Sequence, residues 1–349
     1  MATSLKDDSW LRWIEQLVSS RVPAHVGPEP CHSSFHCRLE EQPDHLVPGH
    51  YLRDQADTVL SGQPLFLNPN CWFVQNGELP NEMDGIAHFW LGSTPEGQNM
   101  LWIKDPSRGT TMPFWLNSDL ANCLSGLSTT DPVPATLLLE ARRFLSSAEV
   151  LVPADWIATS SQRWSEVIFH TREAFRLRGF APVRQLIHPF HISGLRSYYR
   201  SLIRTGQMRL GDLHNPRRYV ANNEPVASFF HHQLTQAVSA LFGEPVKPSY
   251  VYVASYQEGA DLKKHTDREQ CAFSVTYCLD YSPEPQLATP WPIQLHTPSG
   301  KTTVFQAIGD GLLYLGCEIP HSRALLPPGH TSTSIFFHYV AKHFNGPLN

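Results

Sequence analysis

Residues 250–267 read YVYVASYQEGADLKKHTD. Aromatic and β-branched residues crowd Tyr250–Tyr256, as expected of a strand, and Gly259 marks a turn. The stretch ends in His265-Thr266-Asp267. On a strand, positions i and i+2 share a face, so His265 and Asp267 are expected to reach one metal ion together. A third ligand candidate, His321 in GCEIPHSRALLP, follows 54 positions after Asp267. Two imidazoles and one carboxylate on one side of an ion leave positions open, the arrangement that suits non-haem Fe(II). His-x-Asp alone is common by chance and equally describes a polar pair at a strand end.

The period of two persists to the C-terminus. Ala272–Leu279, Ile293–His296, Thr302–Phe305, Gly311–Leu315 and Thr333–Val340 join Tyr250–Tyr256 as expected strands, enough for a β-sandwich or barrel. Upstream, residues 156–245 carry helical spacing over Phe190–Arg204 and Pro225–Phe242, separated by the polar link GDLHNPRRYVANNE. These helices are expected to buttress one face of the strands. His231 and His232 sit mid-helix, with one of them facing solvent. Residues 51–155 alternate: strands at Phe89–Leu91 and Leu101–Ile103, helices over Ser118–Ser125 and Pro134–Ser147, then a closing strand Val150–Val152. That order describes a small α+β domain, winged-helix-like, whose pattern resembles peptide-clasping domains. Residues 1–50 hold a helix capped by Ser9 and ended by Pro23, followed by an irregular extension. The expected organisation is therefore α+β, in three parts: 1–50, 51–155 and 156–349.

Composition narrows the function. Of 349 residues, 41% are apolar and 17% charged, enough apolar content for a packed core. The net charge of −5 offers no basic excess to hold a phosphate backbone, so no nucleic-acid partner is expected. No apolar run approaches the ~20 residues of a membrane span, and MATSLKDDSW lacks a secretory signal, so no membrane partner and a cytoplasmic location are expected. The seven cysteines form no regular framework and read as reduced thiols. Cys31, His32, His36 and Cys37 have zinc-ligand chemistry, but their adjacent pairs depart from the usual zinc spacing. No G-x-S-x-G, Walker A or G-x-G-x-x-G occurs.

With FSVTYCLDY, GDGLLYLGCEIPHSR and TSTSIFFHYV added to the opening stretch, the chain resembles the 2-oxoglutarate- and Fe(II)-dependent dioxygenases, in their prolyl-4-hydroxylase-like branch. The resemblance covers about residues 180–343. It implies a C-terminal double-stranded β-helix (jelly roll), with His265, Asp267 and His321 as catalytic iron ligands. It also implies Fe(II), 2-oxoglutarate as cosubstrate and O2, and admits ascorbate as a reductant. The carboxylate at Asp267 argues against the halogenating variants. The implied reaction couples decarboxylation of 2-oxoglutarate to oxidation of a C–H bond, with hydroxylation as the default outcome. The resemblance leaves a free amino acid or related small molecule, a carrier-bound one and a peptide side chain all open as substrate.

The cosubstrate's distal carboxylate needs a cation, and a buried carboxylate suits the arginine fork. The family places Arg or Lys about ten residues after the distal histidine, but PPGHTSTS has neither. Arg323, two residues after His321, shares its strand face and takes that role in the reading. His330, Thr331, Thr333 and Ser334 are alternatives, and Ser334 and Tyr256 are further cofactor-binding candidates. Arg268, Gln270, Tyr219 and Asn222 are candidates for holding substrate, and each equally describes a solvated loop residue. Two other classes remain: a cupin-type metal enzyme without 2-oxoglutarate, and a non-catalytic metal-binding module.

Overall fold

The computed structural model describes residues 35–39, 63–74, 99–134, 137, 139–184 and 186–349. The helix expected ahead of Pro23, the strand at Phe89–Leu91, and Cys31 and His32 lie outside them.

The described chain begins with β1 (Leu65–Leu67), β2 (Cys71–Val74), β3 (Asn99–Asp105), β4 (Thr110–Leu116), α1 (Ser118–Ser125), α2 (Leu139–Ser147) and β5 (Leu151–Pro153). Next come α3 (Trp156–Arg178), β6 (Phe180–Val183), α4 (Pro189–Arg204), β7 (Arg209–Leu210), β8 (Arg218–Asn222), α5 (Pro225–Gln233) and α6 (Thr235–Phe242). The strand-rich part holds β9 (Val246–Tyr256), β10 (Leu262–His265), β11 (Phe273–Ser282) and β12 (Ile293–Thr297). It closes with β13 (Gly300–Val304), β14 (Gly311–Tyr314), β15 (His321–Arg323) and β16 (Thr331–Ala341).

Two antiparallel sheets carry the C-terminal part. The larger has the order β6-β14-β11-β16-β9-β8-β7, the smaller β10-β15-β12-β13. Their facing side chains meet. Tyr314 lies 5.0 Å from His321, and Tyr256 lies 5.0 Å from Trp291, ring to ring. Phe180, Ile293, Leu295, Leu312, Tyr314 and Ile319 form a separate apolar cluster between the sheets. This is the expected jelly-roll arrangement.

The alternation of β9 and β16 divides the large sheet. Phe337 and Tyr339 turn to α5, where His231 stacks against both. Tyr250 and His338 turn the other way, with rings 4.7 Å apart. His231 is buried and its Nε2 pairs with the His338 carbonyl at 2.8 Å, while His232 is exposed. The helices thus cover one face, as expected.

Three expectations change. The polar link is partly a strand: β8 pairs with β9 along its length. Its polar side chains conceal the strand pattern. The single helix over 225–242 is divided at Leu234. The His231 carbonyl accepts from the Tyr339 hydroxyl at 3.0 Å and the Thr235 hydroxyl at 3.2 Å, a competition that bends helices. Glu224, read as part of the link, is the buried cap of α5. It accepts from the Tyr198 and Tyr199 hydroxyls and from the amides of Val226 and Ala227.

β2-β3-β4 form a three-stranded antiparallel sheet, and β1 pairs with β5. Leu137 and Leu145 are buried as expected, but the helix begins at Leu139 rather than Pro134, so Leu137 packs from the bend ahead of it. This unit packs on the helices. Phe35 meets Tyr198 and Phe230, Trp102 meets Phe229, and Phe114 meets Phe190, all at 5.8–6.3 Å between rings. One core runs through both parts.

α4 is tied to β11 by buried charge. Arg196 donates to Asp280 at 2.8 Å and to Glu284, and Arg200 donates to Asp280 at 2.6 Å. Arg196 has no exposed surface. Removing one member of a buried pair costs roughly 3–5 kcal/mol. Asp280→Ala is therefore expected to destabilise the fold by about 3 kcal/mol, the low end because Glu284 remains. Urea denaturation measures this, and a loss within experimental error of zero would contradict it.

Candidate metal centre

β10 and β15 run antiparallel with His265 directly opposite His321. Their rings lie 4.4 Å apart. Asp267 is not on the strand, contrary to expectation, because β10 ends at His265. A backbone bond from the Asp267 amide to the Gly316 carbonyl, 2.9 Å, places it instead. Asp267 Oδ1 then lies 3.5 Å from His265 Nε2 and 3.6 Å from His321 Nε2.

The three donors fit a metal. An ion with bonds of roughly 2.1 Å spans such separations. His265 Nδ1 pairs with the Lys263 carbonyl at 2.7 Å, and His321 Nδ1 with the Ile319 carbonyl at 3.1 Å. A carbonyl only accepts, so each Nδ1 carries the proton and each Nε2 keeps its lone pair towards the shared point. The Asp267 carboxylate, which accepts from the protonated ring, raises the His265 pKa, while burial lowers that of His321. Burial opposes the Asp267 charge, but the surrounding histidines outweigh it and hold the carboxyl below its ordinary value.

Around Asp267 the packing is tight. Ser274 Oγ lies 3.4 Å from its Oδ2 and 2.9 Å from His338 Nδ1. A Cβ at Gly316 would meet Asp267 Oδ2 and the Cys271 carbonyl at 2.5 Å, and Ser274 Oγ at 2.7 Å. Only glycine lets the carboxylate sit there.

Arg323 lies on the inward face of β15 with His321, while the intervening Ser322 bonds outward to His296 and Gln294. Arg323 is 7% exposed. Its guanidinium donates to the Trp291 carbonyl at 2.5 Å and to Gln306 Oε1 at 3.1 Å, and lies over the Trp291 ring at 4.7 Å. Burial lowers its pKa from the ordinary arginine value. Among the described residues no carboxylate lies within ion-pair distance of it.

Tyr256 shares this interior, its hydroxyl accepting from Arg218 at 2.9 Å. Ser334 is buried on β16, between Ala254 and Cys278 of the neighbouring strands. The alternatives to Arg323 are engaged elsewhere: His330 with the Tyr281 hydroxyl, Thr333 with Ser255. Arg268 is exposed, with its guanidinium 4.5 Å above the Tyr250 ring. Gln270 is buried and donates to the Pro347 carbonyl at 3.1 Å, a packing contact. Tyr219 packs against the main core, opposite Ser255, and Asn222 is exposed at the end of β8.

Arg218, one residue from Tyr219, is what β8 presents beside Tyr256. It is buried and paired with Asp212 at 2.6 Å. Its signal was the alternation of a strand that polar composition hid. Trp291, Gln306 and His338 also belong to this interior, and no local motif marks them. Of the four residues whose spacing departs from that of zinc sites, Cys37 is buried and His36 packs on Trp115. A separate cavity of about 40 Å³, lined by residues including Arg108, Glu149 and His191, lies at the junction with the N-terminal unit. It is sized for a few waters rather than a substrate.

Gly316→Ala is expected to weaken divalent-metal binding by about 10–100-fold by displacing Asp267. Calorimetric titration with Fe(II) or a surrogate ion measures this, and unchanged affinity would remove Gly316 from the account of Asp267.

No protein-family model matches the chain, and no curated protein is similar to it in sequence. Solved structures are similar in fold. A Pseudomonas putida prolyl-4-hydroxylase matches at 16% identity and TM-score 0.41, over 50% of this chain and 100% of its own. HygX from Streptomyces hygroscopicus, with nickel, 2-oxoglutarate and hygromycin B bound, matches at 14% and 0.41, over 50% and 88%. A Burkholderia pseudomallei oxidoreductase of the 2OG-Fe(II) oxygenase family matches at 12% and 0.41, over 52% and 92%. These are likenesses of fold at low sequence identity, each over about half of this chain.

Proposed function

We propose that this protein is a non-haem Fe(II)- and 2-oxoglutarate-dependent oxygenase that hydroxylates an unactivated C–H bond of an amino acid, a peptide or a related metabolite. The observation that carries the reading is Arg323. A guanidinium with no carboxylate partner among the described residues, buried on the same strand face as His321 of a two-histidine, one-carboxylate cluster, is costly unless an anion completes it. A dicarboxylate cosubstrate supplies that anion. The same observation favours this reading over a cupin-type site without 2-oxoglutarate.

His265, Asp267 and His321 would hold Fe(II), which with 2-oxoglutarate, O2 and substrate supplies oxidation to succinate, CO2 and hydroxylated product. The protein's own groups do the rest. The Lys263 and Ile319 carbonyls keep both Nε2 atoms unprotonated and aimed. Asp267 offsets part of the cation's charge. Arg323 grips the distal carboxylate, held in place by Gln306 and the Trp291 carbonyl. Arg218 donates into the Tyr256 hydroxyl, so the Tyr256 proton is free to point at an acceptor other than Arg218. Trp291 and Tyr256 close that end against water, which strengthens the ion pair.

Asp267→Ala is expected to abolish substrate-coupled 2-oxoglutarate turnover while leaving the circular dichroism spectrum unchanged. Retention of wild-type turnover by the purified variant with Fe(II) would refute the triad.

Breaking a desolvated ion pair costs roughly 3–5 kcal/mol, and each 1.4 kcal/mol is tenfold. Arg323→Ala is therefore expected to raise the apparent KM for 2-oxoglutarate by about two to three orders of magnitude. Arg323→Lys should recover only part, since a point charge lacks the bidentate fork. Steady-state kinetics with varied 2-oxoglutarate decide, and an unchanged KM in Arg323→Ala would move the anchor elsewhere.

A further inference from the structure

The carboxylate of Asp267 faces two clusters. Oδ1 turns to His265 and His321, while Oδ2 is nearest Ser274, whose hydroxyl bonds His338 Nδ1. On that second side lies Cys271, contributed by the short 3-10 turn Glu269–Cys271. Donor atoms of Asp267, Cys271 and His338 all lie within 4.8 Å of one another. Cys271 is 1% exposed and His338 is 6% exposed. Tyr250 walls this side, its hydroxyl 3.0 Å from Cys271 Sγ and its ring against His338.

One sulfur, one imidazole nitrogen and one carboxylate oxygen are a different donor set from the first cluster. A thiolate shifts preference towards zinc-like ions, which also stand above Fe(II) in intrinsic affinity. We propose that Asp267, Cys271 and His338 form a second metal site for a zinc-class divalent cation, sharing Asp267 with the first. Binding there displaces the Cys271 thiol proton to solvent, and a water or the Tyr250 or Ser274 hydroxyl completes a four-coordinate shell. Because one carboxylate serves both sites, an ion held through Oδ2 in the second takes up part of the negative charge that Asp267 offers the first. Zinc then inhibits whatever reaction the first site supports.

Cobalt(II) tests this on the metal-stripped full chain, since a thiolate ligand gives a near-ultraviolet charge-transfer band that N/O ligands do not. The band is expected in wild-type protein or, where the first cluster competes for Asp267, in His265→Ala. Absence from both overturns the proposal, without reliance on a variant at the new site. The band should vanish in Cys271→Ser, weaken in His338→Gln and persist in Cys317→Ser. Its persistence in Cys271→Ser, or its loss only in Cys317→Ser, assigns another thiol and overturns the proposal. Zinc affinity at the thiolate site should fall at least about tenfold in Cys271→Ser. The inhibition arm rests on the oxygenase reading: half-inhibition of 2-oxoglutarate turnover by zinc should need at least about tenfold more zinc in Cys271→Ser. A wild-type protein without turnover refutes the oxygenase reading, while the cobalt band still decides the second site.

Discussion

Everything at the centre of this protein depends on the pairing of Leu262–His265 with His321–Arg323. The two segments are far apart in the chain, and their antiparallel register sets His265 opposite His321. A slip of one residue would turn one imidazole outward and bring Ser322 in. The backbone bond from Asp267 to Gly316 extends this closure past the end of the strand. It brings the carboxylate to the two rings without needing strand geometry at Asp267. Gly316 is the complementary half of that contact, because a side chain there would occupy the carboxylate's place.

Buried charge is treated differently across the fold. Arg196 is matched by Asp280 and Glu284, Arg218 by Asp212, and Glu224 by four donors. Each arrangement fastens elements together: α4 to β11, β8 to the turn before it, α4 to the start of α5. Among the described residues Arg323 has neutral partners, the Trp291 carbonyl and the Gln306 amide oxygen. Arg196 and Arg218 thus have carboxylate partners, whereas Arg323, held like Glu224 by neutral groups, lies on one strand face with His321.

The two faces of the large sheet divide the labour. Towards α4 and α5 it presents Phe337, Tyr339, Val251 and Val253, part of a core that continues into the N-terminal sheet through Phe35, Trp102 and Phe114. Towards the small sheet it presents Tyr256, Ser274, Thr276 and His338. Thr276 bonds the Tyr314 hydroxyl, and Ser274 bonds His338. The apolar face stabilises the scaffold, and the polar face is held in place by it. The N-terminal unit adds to the first face, so its loss would uncover the apolar sides of α4 and α5.

The strand pattern called for a β-sandwich or barrel with helices behind it, the family resemblance narrowed that to a jelly roll, and the three metal-ligand candidates stood out in the sequence. A strand period of two, a turn glycine and a His-x-Asp pair are local signals, readable wherever they occur. The shared strand face of Arg323 and His321 was legible for the same reason, the two being two positions apart. What the sequence concealed was non-local. Polar side chains on β8 masked a strand, so Tyr219 and Asn222 stood out where Arg218 faces the interior. Gln270 looked like a substrate contact, yet its partner is a carbonyl 77 positions away. Asp267 was expected on a strand and is placed by a bond to Gly316. Trp291, Gln306 and His338 carry no motif. They meet the candidate ligands only once β16 and the 291–306 segment are brought against the strands of His265 and His321, because an environment made by distant neighbours leaves no pattern in the chain that supplies it.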